Sequence, residues 1–296
     1  MLYLLLGLMV VCYALQSLFE RLYAGSCEGE SGEISLSFAV IFGVFIGAAT
    51  FAAGCISAGG FVFAPSRGTV IYAVCTALML VIFHLTQIGA TTRGSYAIAN
   101  LCMLFGGILI PMAVSVIRMG QRLSLWQIAA VALMCVAFVL LNCQGVSLRG
   151  AKKGFWFFCI ALGLSNGVFG SLLALQADFA PGERTEMLTV SYLASAVLAL
   201  LVLLIKKARG GEGRRLRMSR RAVLFAIGCC AVATVAVNIL SYLLARMNVT
   251  VVNTADNGGV LILAALFGLM IFHEKLTRLQ FCGLGVALVS VVLLSF

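Results

Sequence analysis

Ten apolar runs, each about as long as a bilayer is thick, follow one another along this chain with little between them. They cover approximately 1–19, 36–58, 70–92, 95–117, 125–142, 154–176, 187–205, 222–245, 250–272 and 279–296. A helix of about 20 apolar residues crosses roughly 30 Å of hydrocarbon. Backbone groups cannot go unpaired in lipid, and strands of a barrel would alternate in polarity along their length. Runs this uniformly apolar are therefore expected to be transmembrane helices. Composition agrees, since 62% of the 296 residues are apolar and 10% charged, against roughly 45–50% and 25% in soluble domains. Such a chain has no polar coat to dissolve it in water, and no stretch is left for a separate soluble domain.

The first segment lacks the basic flank and small-residue cleavage site of a signal peptide and is read as a retained first helix. Two connections are longer than the rest: an acidic one at 20–35 and a basic one, KKARGGEGRRLRMSRR, at Lys206–Arg221. The net charge of +10 sits in such connections. A basic loop beside a membrane span is explained by topology and anionic headgroups, so the expected partner is the lipid bilayer and not nucleic acid. Of eleven cysteines, Cys12, Cys55, Cys75, Cys102, Cys135, Cys159, Cys229, Cys230 and Cys282 fall within apolar runs, where thiols behave as small apolar side chains. No C-x-x-C pair occurs, so no metal site and no cofactor are expected. Cys27 and Cys143 lie near connections and pair only if they share a membrane face.

The two halves match without gaps at a fixed offset of 153 residues. Arg93, Asn100, Gly106, Leu123, Gln127, Val136, Val139, Leu140 and Leu141 meet Arg246, Asn253, Gly259, Leu276, Gln280, Val289, Val292, Leu293 and Leu294, and Ser124 meets Thr277. The Leu and Val matches are cheap in any membrane protein; those of Arg, Asn, Gly, Gln and Ser/Thr are not. An odd number of spans per half turns the second copy upside down. The expected fold class is thus all-α integral membrane, with ten transmembrane helices as two inverted five-helix repeats, 1–148 and 149–296. In that plan the solute sits near the midplane between the repeats.

The segment IFHEKLTRLQFCGLGVALVSVVLLSF resembles the closing signature of the EamA-like group in the drug/metabolite transporter superfamily: an acidic residue, a basic residue, Leu, Ser/Thr, then Gln and a last helix rich in small residues. IRMGQRLSLWQIAAVALMCVAFVLL is a weaker copy, with Gln121 where the family usually has Glu. RGSYAIANLCMLFGGILIP, with its Pro late in the fourth span, is also similar. The resemblance implies a ten-helix transporter working by alternating access in the cytoplasmic membrane. It implies no substrate, because its members carry amino acids, sugars, nucleotide precursors and toxic cations. Such transporters usually keep both termini in the cytoplasm. Here 15 of the 20 Lys and Arg lie in connections after odd-numbered spans, which places those connections inside and both termini outside.

Asp256 is the one formally charged residue within the runs. An ionised Asp at a helix centre costs roughly 2.5–3.5 kcal/mol, so it needs a partner, a cavity or a proton. Thr250, Asn253 and Asn257 form one polar stripe beside it, and Gly258 and Gly259 let backbone or ligand approach. Two readings stand: Asp256 binds a cation or carries a coupling proton in a water-accessible pocket, or it pairs with Arg246 or another residue at headgroup level. Asn100 is the repeat equivalent of Asn253, and both amides are candidates to line a central cavity. Asn166, with Ser165, Gly163, Gly167 and Gly170 in the sixth span, Gln16 in the first, Asn238 in the eighth, and His84, Thr86 and Gln87 in the third complete the polar set. His84 serves either as a proton relay or as a neutral His bonded to a neighbouring helix. G-x-x-x-G at Gly163–Gly167 and at Gly43–Gly47 is normally a helix-contact pattern. Arg93 and Arg246 are read as headgroup anchors, and His273 and Glu274 lack the second His of a zinc motif.

The expected function is secondary transport of a small metabolite or drug-like solute, probed here against two alternatives: a flippase for lipid-linked carriers and a non-transporting membrane scaffold. No P-loop supports an ATP-driven pump, and no His or carboxylate cluster supports an enzyme. The carrier is expected as monomer or homodimer. A reporter inserted within Gly210–Gly213 tests the orientation. Fluorescent protein should be bright there and alkaline phosphatase inactive, whereas active phosphatase would place the termini inside.

Overall fold

The computed structural model describes residues 1–28, 31–60, 63–91, 93, 96–142, 153–208, 217–270 and 277–294. Ten α-helices occur among them: α1 (Leu2–Gly25), α2 (Ser31–Ala58), α3 (Arg67–Thr91), α4 (Tyr96–Ile117), α5 (Leu125–Asn142), α6 (Phe155–Phe179), α7 (Arg184–Ala208), α8 (Arg220–Leu244), α9 (Val249–Met270) and α10 (Arg278–Leu293). Two short strands, β1 (Cys27–Glu28) and β2 (Arg217–Met218), pair antiparallel, and one 3-10 turn lies at Pro181–Glu183. Each apolar run read from the sequence holds one of these helices. Seven helices contain spans long and apolar enough to cross a membrane; the apolar stretches Leu101–Ile117, Leu125–Leu141 and Arg278–Leu293 are shorter, at 10–17 residues. At 1.5 Å rise per residue, α5 and α10 are about 27 and about 24 Å long, close to the thickness of the hydrocarbon itself.

The first connection is shorter than the sequence implied. α1 continues through Glu20 and Arg21 to Gly25, so the Glu20 carboxylate belongs to a helix and lies within electrostatic reach of Cys229 on α8. Pro111 sits within α4 as a continuous helix. Cys27 is a free thiol, while Cys143, His273 and Glu274 lie outside the described residues.

The outer surface is apolar: Leu4, Ile56, Ile71, Phe157, Leu224 and Phe281 are among many large side chains turned outwards. A protein in water does not leave such a continuous apolar coat uncovered. Trp126 and Trp156 stand exposed in the first turns of α5 and α6, where indoles anchor helix ends at a headgroup layer.

Packing inside the bundle follows a rule of five. The most extensive helix pairings are α2 with α7, α1 with α8, α4 with α6, α5 with α10, and α3 with α6 and α7, followed by α1 with α9, α4 with α9 and α2 with α8. Moving each helix five places along turns this set into itself. The connections sort by parity. β1 and β2 join the connection after α1 to the one after α7. Gln280 Nε2, after α9, donates to Leu141 O at the end of α5, at 3.2 Å. On the other parity, the Ser66 amide and hydroxyl, after α2, donate to Glu183, after α6, both at 2.8 Å. The Val249 amide, after α8, donates to Gln121 Oε1, after α4, at 3.0 Å.

Two local devices repeat at the offset of 153. At the start of α10, Gln280 N donates to Thr277 Oγ1 and Thr277 N to Gln280 Oε1 at 3.0 Å, a capping box. At the start of α5, Gln127 N donates to Ser124 Oγ at 3.1 Å and Ser124 N to Gln127 Oε1 at 3.2 Å. The Ser/Thr and Gln of the repeated motif are therefore helix caps. The second device is close approach. A Cβ at Gly106 on α4 would collide with the Gly163 backbone on α6, and one at Gly167 with the Gly106 carbonyl. Its counterpart Gly259 on α9 abuts Val10 on α1, and Val10 stands 153 residues before Gly163. Gly43 and Gly47 likewise meet Tyr192, Leu193 and Ala196 of α7, so both G-x-x-x-G patterns are helix contacts. The approach at Gly258 and Gly259 is made by Met134 and Val10, side chains of the fold and not a ligand.

Substituting Thr277→Ala should cost about 1 kcal/mol of stability, as loss of an N-cap does. Gly106→Leu should cost more than the ~1–3 kcal/mol typical of overpacking, because the opposing atoms are backbone. Thermal unfolding in detergent checks both. A Gly106→Leu protein as stable as wild type would refute the close crossing.

Candidate functional site

The polar stripe of α9 turns inwards, onto α4 and α6. Its first member is fixed by Asn248, whose Oδ1 accepts the Thr250 amide at 2.9 Å. Thr250 and Ser115 of α4 share a buried hydroxyl hydrogen bond of 3.2 Å. Asn253, 5% exposed, holds its Oδ1 where a Cβ on Gly170 of α6 would lie 3.1 Å away, with Pro111 Cγ of α4 at 3.4 Å from the same point. One turn further, a Cβ on Gly107 would lie 2.5 Å from Asn166 Nδ2 and 2.8 Å from Asn257 Oδ1. The stripe descends α9 as its neighbours Ser115, Pro111 and Gly107 ascend α4. The absence of a side chain at Gly107 and Gly170 leaves the room these amides occupy.

Each amide nitrogen spends one of its two N–H groups. Asn253 Nδ2 donates to Val249 O and Asn257 Nδ2 to Asn253 O, both at 2.9 Å, and Asn166 Nδ2 donates across to Met103 O on α4 at 3.0 Å. The amide oxygens of Asn253 and Asn257 remain as acceptors at the crossing. Pro111 has no N–H, so the carbonyl four residues earlier, that of Gly107, lacks its helical donor. Three acceptor oxygens thus gather where α4, α6 and α9 meet.

Asp256 points elsewhere, within electrostatic reach of Tyr13 on α1, which in turn neighbours Tyr192 on α7. The Tyr192 ring meets Phe42 edge-on at 6.1 Å. Arg246 does not reach Asp256: its Nη1 donates to Tyr242 O at 3.4 Å and its guanidinium covers the Tyr242 ring. Of the two readings of Asp256, the ion pair with Arg246 is therefore not formed. Among the described residues no cation pairs with this carboxylate. Tyr13 and Tyr192 escaped the sequence reading, although Tyr13 stands 153 residues before Asn166 and Met103 stands 153 before Asp256. The Tyr13–Asp256 neighbourhood and the Asn166–Met103 bond occupy corresponding places in the two halves.

The other candidates are dispersed. Asn238 Nδ2 donates to Thr50 Oγ1 of α2 at 3.1 Å and to Thr234 O at 2.8 Å, joining α8 to α2. Gln16 lies where α1 meets α8, its carbonyl receiving the Cys229 thiol at 3.5 Å and its buried Oε1 lacking a donor. His84 on α3 stands edge-on to Phe83. Thr86 bonds back to Ile82 O at 2.7 Å, and Ser165 to Leu162 O at 3.0 Å. The Asn100 side chain lies outside the described residues. Arg93 donates to Gly89 O at 3.1 Å and covers the Phe158 ring.

A helical bundle with such an apolar coat is a multi-pass membrane protein. Residues 155–296 match the sequence model of the EamA-like transporter family. Over those residues the chain is similar to this family of membrane transporters, which belongs to the drug/metabolite transporter superfamily. A crystal structure of another protein has a similar fold over 98% of this chain and 94% of its own, with a TM-score of 0.77 at 15% identity. No curated protein sequence matches this chain.

Proposed function

We propose that this chain is a secondary transporter, an exporter or permease, moving a small metabolite or drug-like solute across the cytoplasmic membrane by alternating access. Its moving parts are two five-helix units, residues 1–148 and 149–296, inverted relative to one another, with all ten helices crossing the bilayer. The parity of the connections supports ten crossings, because helices that each traverse the membrane bring alternate connections to one side. The rule of five in packing, the repeated capping boxes and the shared offset at the Gly106–Gly163 and Gly259–Val10 contacts support duplication. Inverted units rock about a solute held between them.

The observation that carries the functional reading is the convergence of Asn166, Asn253, Asn257 and the Gly107 carbonyl at one crossing. Polar side chains and an unpaired carbonyl at membrane depth belong where they line a cavity. The three acceptor oxygens fit a solute that offers hydrogen-bond donors, such as a primary amine. Asp256 is the coupling group: without a cationic partner, it carries a proton or cation through the cycle.

Proteoliposomes with an imposed proton gradient, assayed against a panel of labelled amines and amino acids, test this. Wild type should accumulate at least one solute. Asp256→Asn should abolish accumulation while sparing downhill exchange, and Asn257→Ala should raise KM about tenfold, the worth of one or two hydrogen bonds. Undiminished accumulation by Asp256→Asn would remove it from coupling.

A further inference from the structure

Two arginines share one tyrosine at the end of the bundle where the connections after even-numbered helices lie. Arg184 opens α7 and Arg246 follows α8, and their guanidinium carbons stand 5.0 and 3.7 Å from the centre of the Tyr242 ring. The two cations are close enough to interact electrostatically. Arg246 is exposed and spends one N–H on the Tyr242 carbonyl. Arg184 Nε and Nη1 are both buried and have no acceptor.

The nearby carboxylates do not supply one. Glu183 already accepts the Ser66 amide and hydroxyl, both at 2.8 Å. Glu186 stands two residues beyond Arg184 on the same helix, a spacing that turns side chains away from each other. Its own buried Oε2 is likewise without a donor, so it is not the missing partner. Among the described residues neither arginine forms a salt bridge. A cation gains modestly from an aromatic face, whereas a buried donor left unsatisfied is costly, and more so when charged. The ring therefore does not balance two repelling guanidiniums with idle buried N–H groups; an anion between them would.

We propose that Arg184 and Arg246, steered by Tyr242, form an oxyanion site for a phosphate group at the membrane-surface end of α7 and α8. The guanidinium fork matches a tetrahedral oxyanion in pairs of hydrogen bonds. Phosphate fits better than carboxylate, since its three oxygens and nearly two charges answer two cations at once. The group is carried either by a free phosphate or by the headgroup of an anionic lipid. The site is separate from the polar crossing and does not depend on the transport reading.

Thermal unfolding of the purified full chain in detergent tests the site in two arms. One adds inorganic phosphate and the other dioctanoyl phosphatidylglycerol, each against chloride at equal ionic strength. At least one probe should raise the unfolding midpoint, with half-saturation about tenfold higher in Arg184→Gln and in Arg246→Gln. Arg184→Lys, which keeps the charge and loses the fork, should fall between. A response to phosphate alone identifies a free anion, to the lipid alone a headgroup, and to both the shared chemistry; each supports the site. No response beyond chloride to either probe overturns it. So does an undiminished response in Arg246→Gln, whose exposed side chain can change without loss of fold.

Discussion

In hydrocarbon a polar group has no water to fall back on, and this requirement shapes the structure from the backbone inwards. Helices satisfy their own amides, so the outer face can be Leu, Ile, Phe and Val throughout. The polar side chains left over must find partners inside. Asn253 and Asn257 satisfy their nitrogens by bonding back along α9, and Asn166 does so across α4. Those bonds are possible because Gly106, Gly163 and Gly167 let α4 and α6 touch backbone to backbone, while Gly107 and Gly170 leave space for the amides. Small residues and polar side chains act together: the first bring the helices close, and the second occupy the hollow that remains.

The same economy of parts appears twice. The caps at Ser124–Gln127 and Thr277–Gln280, and the close contacts at Gly106–Gly163 and Gly259–Val10, hold equal places in the two halves. The halves differ where their surroundings differ. On one side Asn166 bonds to a main-chain carbonyl at Met103; on the other Tyr13 faces the carboxylate of Asp256. Unlike residues at matching positions make the interior asymmetric, with acceptor oxygens on one side and an acid beside Tyr13 on the other. In the transport reading proposed above, that asymmetry gives solute and coupling ion different places.

Helix number and approximate position were legible in the sequence because lipid leaves so little choice: an apolar run of membrane length is a helix. The repeated Ser/Thr and Gln positions were visible as a pattern, but their purpose as reciprocal caps needed the geometry. The α9 stripe was legible from spacing, since three- and four-residue steps put Thr250, Asn253 and Asn257 on one face. Which helices that face would meet was not, as contacts between α9 and α4 or α6 depend on long-range packing. For the same reason Gln16 and Asn238, polar and intramembrane like the rest, proved to hold α1 and α2 against α8. Tyr13 and Tyr192 went unnoticed because an aromatic residue in an apolar run carries no polar signal. The end of α1 was placed too early because Glu20 reads as the start of a loop, whereas the helix continues for another turn.

Accessibility at position 257 tests the account most directly. In a chain depleted of its native cysteines, Asn257→Cys would be probed with a membrane-impermeant thiol reagent applied to either face of sealed vesicles. A chamber opened in turn to the two sides predicts labelling from both faces, with a transported solute or a reversed ion gradient shifting the balance between them. Failure to label from either face, in a variant whose thiol reacts once the protein is unfolded, would contradict the chamber and the transport cycle built on it.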